Sequence, residues 1–213
     1  MQIKWLGHSS FLITSKNGTK ILMDPFDNTI GYNVYKGDAD IVSISHHHFD
    51  HNCLKYLKGD YMVIDSIGEF NIKNIKIKGF RTYHDKFYGA KRGENIIFRF
   101  EIDGLVICHL GDLGHMLTDE EISSLGTINI LLIPIGGNYT IDNIEAYALC
   151  EKIKSNIVIP MHYKTPNLNF ELLGLENFLI KFEESDKINT TTFNIENNYT
   201  LTETKNKLLI LDY

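Results

Sequence analysis

Short runs of apolar and β-branched residues, interrupted by Gly, Asn and Asp, predict that the first half of the chain consists mainly of β-strands. These runs occupy residues 3–14, 20–23, 40–45 and 61–64. Residues 95–102 and 105–109 predict two more strands, and the Asp103-Gly104 pair between them favours a tight hairpin turn. The pattern therefore indicates short strands joined by loops and turns.

Helical patterns begin in the second half of the chain. Residues 118–121 (Thr-Asp-Glu-Glu) have the form of a capping box, and residues 141–154 place apolar side chains at helical spacing. Further strand-like runs lie at residues 129–135, 156–160, 191–195 and 207–211. Strands with helices between them indicate sheets that pack together and are covered by helices.

Apolar runs in this sequence repeatedly end in polar or glycine residues. The residues that follow such runs are Asp24, His46, Asp112, Gly136, Gly137 and His162. If these strand ends share one edge of the core, the polar side chains converge there, and enzymes commonly place reactive groups on such a rigid edge. The sequence therefore predicts a functional site at the ends of the strands.

Composition limits the classes of protein that fit this sequence. With 213 residues, 43% of them hydrophobic, we expect a single domain over residues 1–213 with a large core. A net charge of −6 argues against broad affinity for nucleic acid or an anionic membrane. No apolar stretch reaches the ~18 residues of a membrane span, and the cysteines form no CxxC pair. We therefore expect a cytoplasmic protein that acts on a small-molecule substrate.

The strongest chemical signal is the hexapeptide His-His-His-Phe-Asp-His at residues 46–51. His46, His48, Asp50 and His51 are metal-binding residue types, and imidazole with carboxylate suits zinc, iron or manganese. In an extended segment His46 and His48 point to the same side. Asp50 and His51, beyond a turn, can approach a second ion, so this segment predicts the two-metal geometry of a hydrolase.

Other metal-binding residues follow strand-like runs along the chain. In order, the complete series is Asp24, His46, His48, Asp50, His51, His84, Asp112 and His162. Together these residues resemble the metallo-β-lactamase superfamily of metal-dependent hydrolases, and the resemblance covers residues 1–165. It implies an α/β (α+β) fold, a four-layer αββα sandwich in which two mixed sheets are flanked by helices.

Four short motifs carry a narrower resemblance. They are residues 7–12 (Gly-His-Ser-Ser-Phe-Leu), 23–25 (Met-Asp-Pro), 134–137 (Pro-Ile-Gly-Gly) and 160–162 (Pro-Met-His). They are similar to motifs of L-ascorbate-6-phosphate lactonase and related hydrolases. This similarity implies hydrolysis of an ester, lactone or phosphoester bond in a small molecule. A phosphodiesterase of the phospholipase D or nuclease type and a non-catalytic metal-binding protein are the alternatives.

The superfamily resemblance also implies a role for each residue of the series. The implied ligands are His46, His48 and His84 for a first divalent ion and Asp50, His51 and His162 for a second. Asp112 would bridge the two ions, and Asp24 would steady the ligands through hydrogen bonds. The ions, zinc by default with manganese or iron as alternatives, would activate a bridging hydroxide. Asp50 and Asp112 are therefore the expected catalytic residues.

The third ligand of the first ion has two candidates. His84 lies in a glycine-rich loop, and His109 lies a few residues before Asp112. Because His109 falls inside a predicted strand, the pattern favours His84 as the ligand and a packed or hydrogen-bonded role for His109. His47 points to the opposite side of an extended segment from its neighbours and is interpreted as structural.

Four side chains near the predicted site are candidates for contact with a substrate, namely His8, His115, Tyr139 and Lys164. A structural or capping role is the alternative for the two histidines, and an ordinary surface position is the alternative for the other two. Residues 185–213 lie outside the clearest resemblance. An exposed strand in that region could pair between subunits, so a homo-oligomer is a further expectation.

Overall fold

The computed structural model describes residues 1–195 and 205–213, in which the chain forms two mixed β-sheets and three helices. In chain order, strands β1 to β14 are Gln2–Gly7, Ser10–Thr14, Lys20–Met23, Ile41–Ser43, Met62–Ile64, Gly68–Ile72, Ile75–Tyr83, Glu94–Ile102, Leu105–His109, Ile130–Pro134, Ile157–Met161, Ser185–Ile188, Thr192–Asn194 and Lys207–Leu211. Helices α1 to α3 are Asp119–Leu125, Asn143–Ile153 and Glu176–Leu179. The predicted sandwich of two mixed sheets with helices is confirmed.

The first sheet has the strand order β13-β1-β2-β3-β4-β5. Strands β3, β4 and β5 are parallel, whereas the other neighbours pair antiparallel. Successive side chains of a strand point to opposite faces, so Phe11 and Ile13 enter the main core while Leu12 joins a second apolar cluster on the other face. Loop residues that include Phe26 and Tyr32 cover this second cluster.

The second sheet has the strand order β12-β14-β11-β10-β9-β8-β7-β6. The neighbouring strands β6, β7, β8 and β9 pair antiparallel. The remaining neighbours, in the order β9, β10, β11, β14 and β12, pair parallel. Helix α2 connects the parallel neighbours β10 and β11, and its residues Ala146, Leu149 and Cys150 are buried in the main core. The parallel neighbours β10 and β11 are buried along their whole length, as a crossover helix on the sheet requires.

The predicted strand at residues 3–14 is divided in the structure into β1 and β2. The chain reverses at Gly7 and His8, whose φ angles are +99° and +52°. A Cβ atom at Gly7 would lie 2.5 Å from the ring of Tyr32, so only glycine lets the backbone pass this ring. The turn brings His8 and Ser9 to the end of the sheet, where they become part of the candidate site.

Strands β6 and β7 form a long hairpin that the sequence analysis missed. The two turn residues, Lys73 and Asn74, have φ angles of +51° and +63°, which is the conformation of a two-residue hairpin turn that matches strand twist. In β7 the buried Ile75 and Ile77 alternate with the more exposed lysines. The sequence therefore contained the alternation of apolar and polar residues that is typical of a strand. The hairpin matters for the site because β7 leads directly into His84.

The C-terminal strands complete both sheets. β13 pairs with β1, β14 pairs with β11, and β12 forms an edge of the second sheet. The strands predicted at residues 191–195 and 207–211 are confirmed, while their pairing between subunits stays a prediction. The longest helix has eleven residues, and none in residues 1–195 or 205–213 is long and apolar enough to cross a membrane.

Candidate metal centre

Strand direction brings the predicted ligands to one edge of the sandwich. Strands β7 and β9 both pair antiparallel with β8, and β9, β10 and β11 are parallel, so β7, β9 and β11 all run in the same direction. Their C-terminal ends lead to His84, Asp112 and His162. In the first sheet the parallel strands β3 and β4 lead to Asp24 and His46. Side chains from both sheets therefore meet at the same edge.

Asp112 lies at the centre of the cluster and is buried. Its Oδ2 atom is close to Nε2 of four histidines: His46 (3.9 Å), His51 (3.3 Å), His84 (3.2 Å) and His162 (3.1 Å). Burial raises the pKa of Asp112, but the adjacent imidazoles outweigh burial and hold that pKa well below its usual value. The carboxylate is therefore ionised and surrounded by nitrogen atoms.

The donor atoms form groups that could hold a metal ion. In one group, atoms of His46, His48 and His84 lie within 4.8 Å of one another, and a second group contains His8, His51 and His162. The buried Nε2 atoms of His46 and His51 have no hydrogen-bond partner. Unpartnered nitrogens directed into a buried cluster are what a metal site needs.

The charge of the cluster also calls for a cation. Asp24, Asp50 and Asp112 are buried, and within the described ranges their ion-pair partners are histidines and no lysine or arginine. Burial lowers the pKa of His51, but the neighbouring Asp112 and Asp24 outweigh it and raise that pKa well above its usual value. Buried carboxylates need positive charge nearby, which a divalent ion supplies. The residues therefore fit such an ion.

Asp24 orients two of the histidines. Its Oδ2 atom accepts a hydrogen bond from His51 Nδ1 at 2.9 Å and another from Ser45 Oγ at 2.5 Å. Ser45 Oγ in turn accepts from His46 Nδ1 at 2.9 Å. Because the Nδ1 atoms carry the protons, the Nε2 atoms of His46 and His51 are left to face Asp112. This arrangement is what the sequence analysis expected of Asp24, with Ser45 as an additional link that it missed.

Replacement of Asp24 by Ala is expected to weaken metal binding about 10- to 100-fold, because His46 and His51 lose the contact that orients them. Competition with a chromophoric chelator measures this affinity. Asp27→Ala is the matched control, since Asp27 lies three residues after Asp24 in an exposed turn and, among the described residues, bonds only Thr29. Equal metal affinity in folded Asp24→Ala and in wild type would remove the orienting role.

His109 has no free ring nitrogen for a metal ion. Its Nε2 donates to the carbonyl oxygen of Ser9 at 2.8 Å, and its Nδ1 accepts from the backbone N–H of Gly111 at 3.1 Å. His84, by contrast, directs Nε2 towards Asp112. Of the two alternatives that the sequence left open, the geometry therefore supports His84 as the ligand and gives His109 a hydrogen-bonded role in the loop before Asp112.

Asn95 positions the loop that carries Asp112, and the sequence analysis missed it. Its Oδ1 accepts from the backbone N–H of Asp112 at 2.9 Å, while its Nδ2 donates to Thr82 Oγ1 and to the carbonyl oxygen of Leu110. A Cβ at Gly111 would lie 2.3 Å from Asn95 Oδ1, so the loop needs glycine there. The available signal was a polar side chain directly before the apolar residues 96–98.

Three of the four predicted substrate contacts lie away from the cavity surface. His8 is fully buried, and its Nε2 donates to Asp50 Oδ2 at 3.2 Å. His115 accepts from the backbone N–H of Tyr83 and donates to the carbonyl oxygen of Met116. Lys164 donates to two carbonyl oxygens, of residues 168 and 170. His8 is thus a partner of a predicted ligand, and the other two order loops.

Five of the seven predicted ligands form the floor of a cavity of about 280 Å³. Its lining residues are His48, Phe49, Asp50, His84, Arg92, Asp112, Tyr139, His162 and Phe170. Tyr139 is therefore the one predicted substrate contact in this lining. Phe49, Arg92 and Phe170 were missed as lining residues, because nothing in their local sequence shows that the loops carrying them meet over the metal-binding residues. His47 is exposed, with Nε2 3.5 Å from Asp65 Oδ2.

Two mixed sheets with a cluster of histidines and aspartates at their edge define a hydrolase of the metallo-β-lactamase type. The chain belongs to that superfamily, because the family model described as Beta-lactamase superfamily domain matches residues 2–162. Within it, the chain belongs to the UPF0173 metal-dependent hydrolases. One such protein from Carboxydothermus hydrogenoformans is 30% identical over 200 residues, which cover 78% of this chain and 85% of the relative.

A solved structure and a second relative agree with this family. A crystal structure from Thermotoga maritima, described as a candidate Zn-dependent hydrolase of the metallo-β-lactamase superfamily, is 35% identical and has a TM-score of 0.82. The match covers 99% of this chain and 97% of that chain. The UPF0173 metal-dependent hydrolase of Nanoarchaeum equitans is 29% identical, over 78% of this chain and 85% of its own. The protein is therefore a metal-dependent hydrolase.

Proposed function

We propose that this hydrolase holds two divalent ions at the cluster and cleaves an ester or lactone bond of a small molecule. The position of Asp112 carries the proposal. One carboxylate oxygen lies 3.1–3.9 Å from the Nε2 atoms of four histidines, and this central position supports a carboxylate shared between two ions. The fold alone supports many chemistries, so the reaction is inferred from the residues at the site.

The proposed ligands are His46, His48 and His84 for one ion and Asp50, His51 and His162 for the other, with Asp112 between them. The first three form one group of donor atoms, and two members of the second set share another group. Imidazole and carboxylate donors favour zinc, and the Thermotoga maritima relative is described as Zn-dependent. Manganese and iron bind the same donor types and are the alternative metals.

When bound, the ions supply Lewis acidity, which lowers the pKa of a water molecule and polarises the bond under attack. The chain positions the groups that react. His8 donates a hydrogen bond to Asp50 Oδ2 and so holds that carboxylate in place at the cavity wall. Asp50 is then positioned to accept the proton that the attacking water loses.

The cavity favours a small substrate with an apolar part. Its volume is about 280 Å³, and Phe49, Tyr139 and Phe170 contribute aromatic surface. The similarity of residues 7–12 and 160–162 to L-ascorbate-6-phosphate lactonases favours an ester or lactone over a phosphodiester. The net charge of −6 disfavours nucleic acid as a partner. The cytoplasmic location, the absence of a membrane partner and the homo-oligomer stay predictions.

Metal removal is the first test of this function. Freshly purified protein is expected to contain about two divalent ions per chain, and treatment with a chelator is expected to abolish hydrolysis until Zn²⁺ or Mn²⁺ is restored. Elemental analysis gives the metal content, and a panel of lactones, carboxylic esters, thioesters and bis(p-nitrophenyl) phosphate gives the bond class.

His47→Ala is the matched control for this assay, because His47 belongs to the same hexapeptide but is exposed. It should keep both metal and activity. Full activity in metal-free protein would overturn the mechanism. If only the phosphodiester is hydrolysed, the protein is a phosphodiesterase and the proposed ester or lactone bond is wrong. Metal binding without hydrolysis of any compound would favour a non-catalytic role.

A further inference from the structure

Arg92 is the single lysine or arginine among the residues that line the cavity. It is an exposed residue, whereas Asp112 and His162 at the floor are buried, so it lies on the open side of the cavity. Its guanidinium carbon lies 4.5 Å from the ring centroid of Tyr139. This contact between a cation and an aromatic face places the charge next to an aromatic wall.

The loop that carries Arg92 is built around one carboxylate. Asp85 accepts four backbone hydrogen bonds, from residues 87, 89, 91 and 92, at distances from 2.7 to 3.1 Å. Directly beside the loop, the backbone N–H of His84 donates to the carbonyl oxygen of Gly93 at 3.1 Å. The backbone of Arg92 is therefore fixed relative to a proposed metal ligand by the carboxylate of Asp85 and by the backbone contact between His84 and Gly93.

Arg92 differs from the other two arginines in having no carboxylate partner in residues 1–195 or 205–213. Arg81 pairs with Glu94 at 3.5 Å, and Arg99 pairs with Glu101 at 2.6 Å. Glu94, the nearest acidic residue in sequence, is the partner of Arg81, and Asp85 uses its oxygens on the backbone amides of the loop. A protein with net charge −6 thus directs one unpaired guanidinium into its candidate active site.

A guanidinium presents a planar set of N–H donors that matches the two oxygens of a carboxylate or a phosphate. The guanidinium carbon lies over the Tyr139 ring, and no carboxylate in residues 1–195 or 205–213 takes the N–H donors of the group. We propose that Arg92 and Tyr139 form a subsite for an anionic group of the substrate. This subsite rests on the function proposed above. It makes the substrate an ester or lactone that also carries a carboxylate or phosphate, and an apolar segment separates this anionic group from the bond that is cleaved.

The test compares mono-p-nitrophenyl adipate with p-nitrophenyl valerate, which differ by one terminal carboxylate. Metal-loaded wild type, Arg92→Gln and Lys91→Gln are assayed. Lys91 is the matched control: its backbone N–H also bonds Asp85, but its ammonium lies 4.0 Å from the ring centroid of Phe87 and it does not line the cavity. An ester with a terminal phosphonate in place of the carboxylate shows which anion fits better.

Wild type and Lys91→Gln are expected to prefer the adipate ester. Arg92→Gln should lower kcat/KM for that ester about 10- to 100-fold, the range of a charge-assisted hydrogen bond, and leave the valerate ester within about twofold. The subsite would be overturned if wild type had equal kcat/KM for the anionic esters and the valerate ester and if Arg92→Gln changed neither value. The proposed function would still stand.

If wild type hydrolyses none of the esters, the proposed ester chemistry is wrong. The subsite is then tested separately by equilibrium binding. Calorimetric titration with adipate and with valerate compares two ligands that again differ by one carboxylate. Tighter binding of adipate in wild type and Lys91→Gln, lost in Arg92→Gln, supports the subsite. Equal affinity for both ligands in wild type would overturn it.

Discussion

Asp112→Ala is expected to reduce hydrolysis by about 10⁴-fold or more, because it removes the carboxylate that four histidines surround. Without this carboxylate both proposed metal positions lose their shared anionic ligand, so both lose affinity for a divalent ion. Elemental analysis should find less than one ion per chain in Asp112→Ala. Initial rates on the best ester or lactone of the panel measure the loss of activity.

Two further variants make this result interpretable. Asp112→Asn keeps the shape of the side chain, and the backbone hydrogen bond to Asn95 does not depend on that side chain, so this variant separates loss of charge from loss of folding. Asp65→Ala removes an exposed carboxylate that lies beside His47, and it should behave as wild type. If Asp112→Ala kept two tightly bound ions, Asp112 would not be a shared ligand.

Asp50→Ala is expected to lower kcat by about 10²–10⁴-fold through loss of proton transfer alone, and by more if the second ion is also lost. Asp50 lines the cavity and is held by His8, so its replacement removes both a proposed ligand and a proposed proton acceptor. Steady-state kinetics at saturating metal measure the effect.

Asp50→Asn distinguishes these two roles. Its amide oxygen can still bind a metal ion, but it cannot take up the proton as a carboxylate does. Two bound ions with kcat reduced about 10²-fold or more would support proton transfer by Asp50. An Asp50→Asn protein with both ions and wild-type kcat would show that another group accepts the proton.

The ends of the strands were predictable because local patterns define them. Apolar runs mark β3, β4, β9 and β11, and each is followed within a few residues by Asp24, His46, Asp112 or His162. The direction of a strand and its place in a sheet depend on pairing with distant strands. The series of residues therefore indicated a metal centre, whereas the distances around Asp112 required the structure.

Residues that act through long-range contacts were harder to predict. Asn95 holds the Asp112 loop from a different strand, and His8 reaches Asp50 across 42 positions of sequence. Arg92 meets Tyr139 only because two separate loops fold over the same cavity. None of these pairs has a local periodicity, so no sequence window contains the signal.

Long-range packing explains why two of the substrate-contact candidates have the structural positions that were their alternative. A histidine near a glycine turn can face solvent or the protein interior with the same local sequence. His8 faces the interior, and burial together with His162 lowers its pKa to about 4. His115 has both ring nitrogens in hydrogen bonds to the backbone. In each case the packing of neighbouring segments decides the outcome.

Anomalous X-ray diffraction from crystals of the metal-loaded protein tests the two-ion centre most directly. Two peaks are expected, one bound by His46, His48 and His84 and the other by Asp50, His51 and His162, with Asp112 contacting both. Bonds from the ligand atoms should be about 2.0–2.2 Å. A single peak at full metal occupancy, or a peak bound by His109 in place of His84, would contradict the proposed two-ion centre.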